Sequence, residues 1–536
     1  MPGSRLWKSS RRSAVVGAVL LALVAGGCGS SSSSSGGSSA PAAGSSAPAA
    51  GAIKDGTVSL EIGSPVTSLD PAKGSSFADF TVAQALYDPL VTFDQAGKVI
   101  PDLATSWTTT SNSATFHLRS GVTCSDGTKL TATDAAASLQ RYMDPATAAP
   151  LLTEVIGANN SAKVSGDDSA NTVTVTLAHP YSQLLSGLTS NFTGIICPAG
   201  LKNPKTLLTH SDGTGAYVAS SEVSGSSYTF VRNRNYWGGP NFGNMPSGTV
   251  PKKLVLKVVE DDNTAADLQA SGALNVANYS TNDWKQFKGK PGDTTVTQAQ
   301  TDTMLVYNET PGHVTDSPKV RLAIAQAINR PAINNVLGNG AGTLESNLGM
   351  STYACYDGSL SKYIPSYNLS AATKVLKGLN LRIIGTTQLA AGNGTSYLLA
   401  ELRQAGAKAT LTNENNEAWV TQLFSGKNNW DLTILGYGNT SNSLLAASGF
   451  FTGAAPPKGE NLGDVQDAAA APDYTTASQN AGATGCKAID ALQKSLLRNY
   501  DTVPLTALPT TVVYANNTAG VSVKGFVQPS SLRILH

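Results

Sequence analysis

The sequence predicts an α/β protein in which strands and helices alternate along the chain. Three observations carry this. Residues 381–438 alternate strand-like and helix-like patterns with short connections. Several other short stretches show the two-residue alternation of half-buried strands. Hydrophobic residues make up 41% of the 536-residue chain and charged ones 14%, which is ample for packed cores. The long apolar runs of a polytopic membrane protein are missing from the pattern.

Taken in order, Thr57–Ile62 alternates and is β-branched enough for a strand. Thr131 and Asp134 have the spacing of a capping box and predict a helix through residues 135–143. Residues 173–177 and 228–232 alternate as strands. Residues 318–330 place Val320, Ile324, Ala327 and Ile328 on one helical face, with Pro331 after its end. Residues 381–384 form a short apolar strand. Leu398, Leu399, Leu402 and Ala405 then make a helical face closed by Gly406. Residues 407–411 read as strand, 417–424 as helix and 431–435 as strand. That succession favours parallel pairing with right-handed crossovers. Ligands of such sheets bind beyond the carboxyl ends of strands. Gly436-Tyr437-Gly438-Asn439 is therefore a candidate ligand loop, although a plain surface turn with a half-buried tyrosine fits those four residues equally well.

The N-terminus reads as an export signal. Arg5, Lys8, Arg11 and Arg12 precede an apolar run at 14–24 that is too short to span a bilayer as a free helix. Ala25-Gly26-Gly27-Cys28 resembles the lipobox of bacterial lipoproteins, in which the cysteine is lipidated and becomes the mature N-terminus. Ala25 stands where leucine is usual. Residues 29–51 contain only Ser, Gly, Ala and Pro, a flexible tether with a span of roughly 25–30 Å. The Arg11-Arg12 pair leaves both Sec and twin-arginine export open.

Lysine and arginine total 37 against 36 acidic residues, so no basic excess marks a nucleic-acid binder. The histidines are scattered, and neither CxxC nor HExxH occurs, so no metal or cofactor is expected. No GxSxG elbow is present, and Asp261-Asp262 reads as a solvated pair; an enzyme is not expected. Cys124, Cys197, Cys355 and Cys486 remain after Cys28. An even number in an exported chain predicts two disulfides with three possible connectivities, against four buried free thiols.

Several runs resemble successive landmarks of one family. Ser68-Leu69-Asp70-Pro71, Leu86-Tyr87-Asp88-Pro89-Leu90-Val91 and Pro101-Asp102-Leu103-Ala104-Thr105-Ser106-Trp107 come first. Phe116-His117-Leu118-Arg119-Ser120-Gly121-Val122, Gly213-Thr214-Gly215-Ala216-Tyr217 and Asn233-Arg234-Asn235-Tyr236-Trp237-Gly238-Gly239 follow. Residues 320–330 close the series. They resemble the peptide/nickel class of extracytoplasmic solute-binding proteins of ABC importers.

The resemblance implies a two-lobed periplasmic-binding-protein fold with an extra inserted domain and mixed sheets flanked by helices. After a signal (1–27) and tether (28–52), one lobe would take 53–84, 200–301 and 516–536. The inserted domain would take 85–199 and the second lobe 302–515. The chain would cross between lobes near Thr301 and again near Asn516. Sequential pairing, Cys124 with Cys197 and Cys355 with Cys486, keeps each disulfide within one such domain.

Ligand is expected at Tyr87, Asn278, Tyr307, Asn308, Tyr437, Gly438 and Asn439. The expected partners are a peptide or other small solute, ABC permease subunits with their ATPases, and the outer face of the cell membrane through the lipid; a monomer is expected. Asn275 and Asn329 stand where the family usually has Asp, and Ala216 where it has Pro. Peptide binders of the family carry an acid in a Gly-Trp-x-x-Asp setting that holds the peptide ammonium, but residues 436–443 contain none. A ligand held mainly by a free ammonium is therefore not expected, and a capped, cyclic or neutral solute fits better, unless Asp302 or Glu417 reaches the pocket.

Overall fold

A computed structural model describes residues 54–157, 160–426, 429–438 and 441–536. The expected export signal, Cys28, the expected tether and Asn439 lie outside the described residues. The main sheet runs in the order Lys408–Glu414, Asn380–Thr386, Leu432–Tyr437, Thr294–Tyr307, Thr502–Tyr514, Val276–Tyr279, Thr57–Ile62, Lys253–Val258, Ser227–Arg232, Tyr217–Val223. Two strands in its middle, of 14 and 13 residues, are far longer than their neighbours.

Those two strands serve both halves of the sheet. Residues 294–299 pair with 509–514, and 301–306 pair with 502–508, with a register irregularity between Ala299 and Thr301. Val276–Tyr279 adds to the first segment through 511–514, and Leu432–Tyr437 adds to the second through 302–307. The register irregularity thus lies at Ala299–Thr301 on one strand and opposite Leu508–Pro509 on the other, upstream of Asn516. Asn516 instead holds a turn in the left-handed region (φ 56°), its side chain donating to the carbonyls of Gln269 and Leu274 at 3.2 and 3.0 Å.

Asn380–Thr386 runs parallel to both Lys408–Glu414 and Leu432–Tyr437, with helices Asn393–Gln404 and Asn416–Phe424 as crossovers, as strand–helix alternation requires. The helix expected over 318–330 is two helices. Pro318–Ala327 ends at an extended Ile328, and Asn329 caps Arg330–Gly338 by accepting from the Ala332 N–H at 3.1 Å. Pro331 falls in the first turn of the second helix, where a missing N–H costs nothing, so it starts a helix instead of following one.

A separate antiparallel sheet, Ala104–Thr109, Ser113–Leu118, Thr172–Leu177 and Ala162–Asp167, packs on helix Ala132–Met143. Thr131 and Asp134 form the capping box that starts this helix. Gly166 lies so close that a Cβ there would sit 2.3 Å from the Ala132 carbonyl oxygen. The family-like runs meet in space. Arg141 makes two bonds to the buried Asp70 at 3.1 and 2.5 Å. The Trp237 indole N–H donates to Asp88 at 2.9 Å, and the Arg119 guanidinium lies 4.3 Å over the Trp237 ring. The Asn275 carbonyl oxygen accepts from the Ser59 N–H and hydroxyl at 2.8 and 3.0 Å, doing a structural job that needs no charge. Cys124 is bonded to Cys197 and Cys355 to Cys486.

Candidate functional site

The strand Leu432–Tyr437 points its carboxyl end at a cleft. On one side lies a small cavity of about 30 Å³ lined by Gln300, Met350, Tyr353, Asn442, Lys524 and Phe526. On the other side Leu151, Glu154, Val155, Gly187, Ser190 and Ser441 close around a crevice with no room for a water. Each takes a residue from the 441–442 loop, so one continuous stretch of chain divides the two. The walls come from distant parts of the sequence. Met350, Tyr353, Leu444 and Leu445 share one apolar cluster with Phe80, Leu151 and Phe526. The Ser182 N–H donates to the Ser478 carbonyl at 2.6 Å across the same junction.

Of the residues expected to touch ligand, Tyr437 and Gly438 stand at the carboxyl end of this strand, next to Ser441 and Asn442, without lining either recess. The Tyr437 ring stands edge-on to Phe450 at 4.9 Å. Gly438 lies against Phe77: a Cβ would sit 2.4 Å from the ring. The others lie elsewhere. Tyr87 is wholly buried, packed under Gly194 and Gly213, and burial raises its hydroxyl pKa. Tyr307 is wholly buried in the apolar cluster around Ile324 and Leu432. Asn308 donates to the Trp430 carbonyl at 3.0 Å and accepts from the Thr310 N–H at 3.1 Å, shaping its own turn. Asn278 gives its backbone N–H to Glu61 at 3.1 Å; Glu61 is buried, and desolvation pushes it up to about 8. Neither Asn278 nor Tyr87 lines either cavity.

Buried acids lie near this end of the strand, Asp302 among them, and Glu154 lines the second recess. Asp302 pairs in register with Tyr437, is 1% exposed and accepts from the Tyr353 hydroxyl at 3.1 Å. Burial, and then the nearby Glu345, hold its pKa well above the ordinary range. Glu154, on helix Leu152–Ile156, is pushed up to about 8, first by burial and then by the charge of Glu460. Burial raises Glu460 as well. The side chain of Glu417 is outside what the structure describes.

A lysine also lines the small cavity. Lys524 turns the hairpin between Ser522–Val523 and Phe526–Val527 at a φ of 54°. Its ammonium lies 3.9 Å from the Phe93 ring centre, and burial lowers its pKa well below the lysine range. Gly525, after Lys524, is the general turn signal that the sequence does carry here. Tyr353, Glu154 and Glu460 have no such signal: the Cys355–Cys486 bond and the tertiary fold deliver them.

Comparison with known proteins places this geometry in context. Residues 98–454 match the family of bacterial extracellular solute-binding proteins, family 5 Middle. The periplasmic murein peptide-binding protein MppA of Escherichia coli K12 is 28% identical over 293 residues, 51% of this chain and 53% of that protein. The chain thus matches over about half the length of such curated relatives. A substrate-binding protein from Microbacterium hydrocarbonoxydans, solved with 4-hydroxybenzoate hydrazide, superposes with a TM-score of 0.81 at 30% identity, over 89% of this chain and 100% of that one. The Helicobacter pylori periplasmic binding protein DppA, solved with the peptide STSA, shares the fold at a TM-score of 0.75 and 21% identity, over 90% and 98% of the two chains.

Proposed function

The chain belongs to the bacterial extracellular solute-binding proteins of family 5, and from that premise we propose that it captures a peptide or peptide-like solute between two lobes and delivers it to the permease of an ABC importer, leaving the ligand chemically unchanged. The observation that supports this reading is the family match over residues 98–454, in a chain whose two long central strands join both halves of the main sheet. In this division one lobe is built from 53–84, 200–301 and the chain after Leu508, and the other from about 302–508, with 85–199 inserted. The strands crossing at Ala299–Thr301 and Leu508–Pro509 act as the hinge. Solute bound to both lobes shifts the population toward the closed form, which the permease reads.

A second reading, a small aromatic solute, is favoured by the hydrazide complex of the Microbacterium protein and by the rings of Phe526 and Tyr353 on the small cavity. Mass spectrometry of what the natively purified protein releases on denaturation separates the two. A peptide supports the first reading, an aromatic acyl compound the second, and reproducible absence of any solute in protein that also fails to respond to added peptides counts against capture.

Cys28 completes the reading as a lipid anchor at the outer face of the cell membrane, with residues 29–51 as the tether of a monomeric receptor beside its permease. Two acyl chains hold such a protein stably. Cys28→Ala is expected to leave the membrane fraction with unchanged solute affinity, which fractionation and calorimetry together check.

A further inference from the structure

We propose that the Cys355–Cys486 disulfide is a thiol-exchange site for a dithiol reductant, and that its opening frees residues 345–357 from the wall of the small cavity. The two disulfides differ in access. Cys124 and Cys197 are 0% and 1% exposed and belong to the apolar cluster that holds Phe116, Leu139 and Val173. Cys355 and Cys486 are both partly exposed, and residues 481–484 and Lys487 beside Cys486 are exposed as well. A thiolate must reach a sulfur atom to attack it, so exchange selects the bond that solvent reaches.

The Cys355 side of the bond belongs to a segment with little else to order it. Residues 345–357 contain neither helix nor strand and run between Thr343–Leu344 and Gly358–Tyr363. Leu348 is wholly buried, and its N–H donates to Gln493 at 2.8 Å. The Ser346 and Tyr356 hydroxyls bond to each other at 2.9 Å, inside the segment, and Tyr353 reaches out to Asp302 at 3.1 Å. Around it, the buried atoms Asp302 Oδ1, Glu345 Oε2 and Arg330 Nε have no hydrogen-bond partner among the described residues. Water satisfies such groups once the segment lifts, so they do not oppose the movement. Cys355 itself has a φ of 67°, a left-handed conformation that residues other than glycine seldom adopt and that a released cysteine can leave.

In the exchange, one thiolate of the reductant attacks one sulfur, forming a mixed disulfide and releasing the other cysteine as a thiolate that takes up a proton. The second thiol of the reductant, as its thiolate, then attacks the mixed disulfide. It closes a disulfide within the reductant and releases the second cysteine, which is protonated in turn. Two electrons and two protons thus pass from the reductant's thiols to the two cysteines. Met350, Thr352 and Tyr353, all on the freed segment, line the small cavity with Lys524 and Phe526. Helix Gly482–Arg498 stays in place without the bond, since Ile489, Leu492, Leu496 and Leu497 are buried along it. The loop is the part that moves. Resting on the capture reading above, the oxidised protein is the form that holds solute and the reduced protein the form that releases it.

The test treats the native protein with graded dithiothreitol, traps thiols with iodoacetamide and locates them by peptide mapping, with hydrogen exchange measured on the same samples. Cys355 and Cys486 are expected to be alkylated about tenfold or more faster than Cys124 and Cys197. In protein reduced at that bond alone, amide exchange over 345–357 is expected to rise about tenfold or more, while Ser113–Leu118 stays as protected as in untreated protein. Resistance of both bonds, cleavage of both at one rate, or cleavage of Cys124–Cys197 first overturns the inference. So does an unchanged exchange rate over 345–357, or a rise that spreads equally to Ser113–Leu118, which would make the bond a staple of the whole fold. No solute enters this measurement, so each of these outcomes leaves capture standing, and capture fails separately, by the mass spectrometry of released solute.

Discussion

Gly438 shows how a single side chain can gate the cleft. With no Cβ it lets Phe77 lie flat against the backbone, where an added methyl would come within 2.4 Å of the ring. Gly438→Ala is expected to cost about 1–3 kcal/mol through overpacking. Phe77 is 42% exposed and can move, so Phe77→Ala should recover most of that loss. Urea denaturation of the four proteins of the double-mutant cycle measures the coupling, and a cost that Phe77→Ala leaves untouched would place the clash elsewhere. Asp70 is the other kind of residue. It is 3% exposed, caps Pro71–Lys73 and pairs with Arg141. Asp70→Ala leaves the arginine uncompensated and is expected to cost about 3–5 kcal/mol in denaturant unfolding. This difference explains what could be read in advance. Asp70, Asp88 and Trp237 stand in runs a sequence shows plainly, because they latch the framework together. Glu154 and Glu460 sit in runs with no pattern, because only tertiary folding makes them neighbours.

Among the elements, the disulfides divide stability from function. Both close long loops, with separations of 73 and 131 residues, and each is expected to be worth on the order of 4–5 kcal/mol in the chain-entropy picture. Cys355–Cys486 also ties the loop carrying Met350 and Tyr353 to helix Gly482–Arg498. The Cys355→Ser/Cys486→Ser variant should therefore lose both stability and solute affinity, while Cys124→Ser/Cys197→Ser should lose stability with affinity retained. Denaturant melts and calorimetry separate the two; equal affinity losses would mean that Tyr353 needs no such tie. Elements with strong periodicity were legible, including the capped helix Ala132–Met143 and the parallel strands around Leu432–Tyr437. The break at Ile328 was not, because a proline in the first turn of one helix looks in sequence like the stop signal of the one before it.

At the scale of the whole molecule, buried acids set the pH response. Glu61 and Glu154 are held near 8 and Glu345 near 7, each chiefly by burial, against an ordinary value of 4.5. Between those values the folded protein binds more protons than the unfolded chain. Stability is therefore greatest at the acidic end of this window and falls as pH rises from about 4.5 to about 8. Melting scans across that range should show the decline. Flat melting curves over the window would mean that these carboxyls ionise in the folded state without cost. The family framework was legible across most of the chain, whereas solute choice was not, because it depends on which distant side chains meet at one cleft. The central claim, capture by closure about the two long strands, is tested most directly by distance. Spin labels on Lys205→Cys and Lys374→Cys report the separation of the two lobes by pulsed electron resonance. Solute should shorten that distance and narrow its distribution relative to stripped protein, whereas identical distributions with and without bound solute would contradict the account.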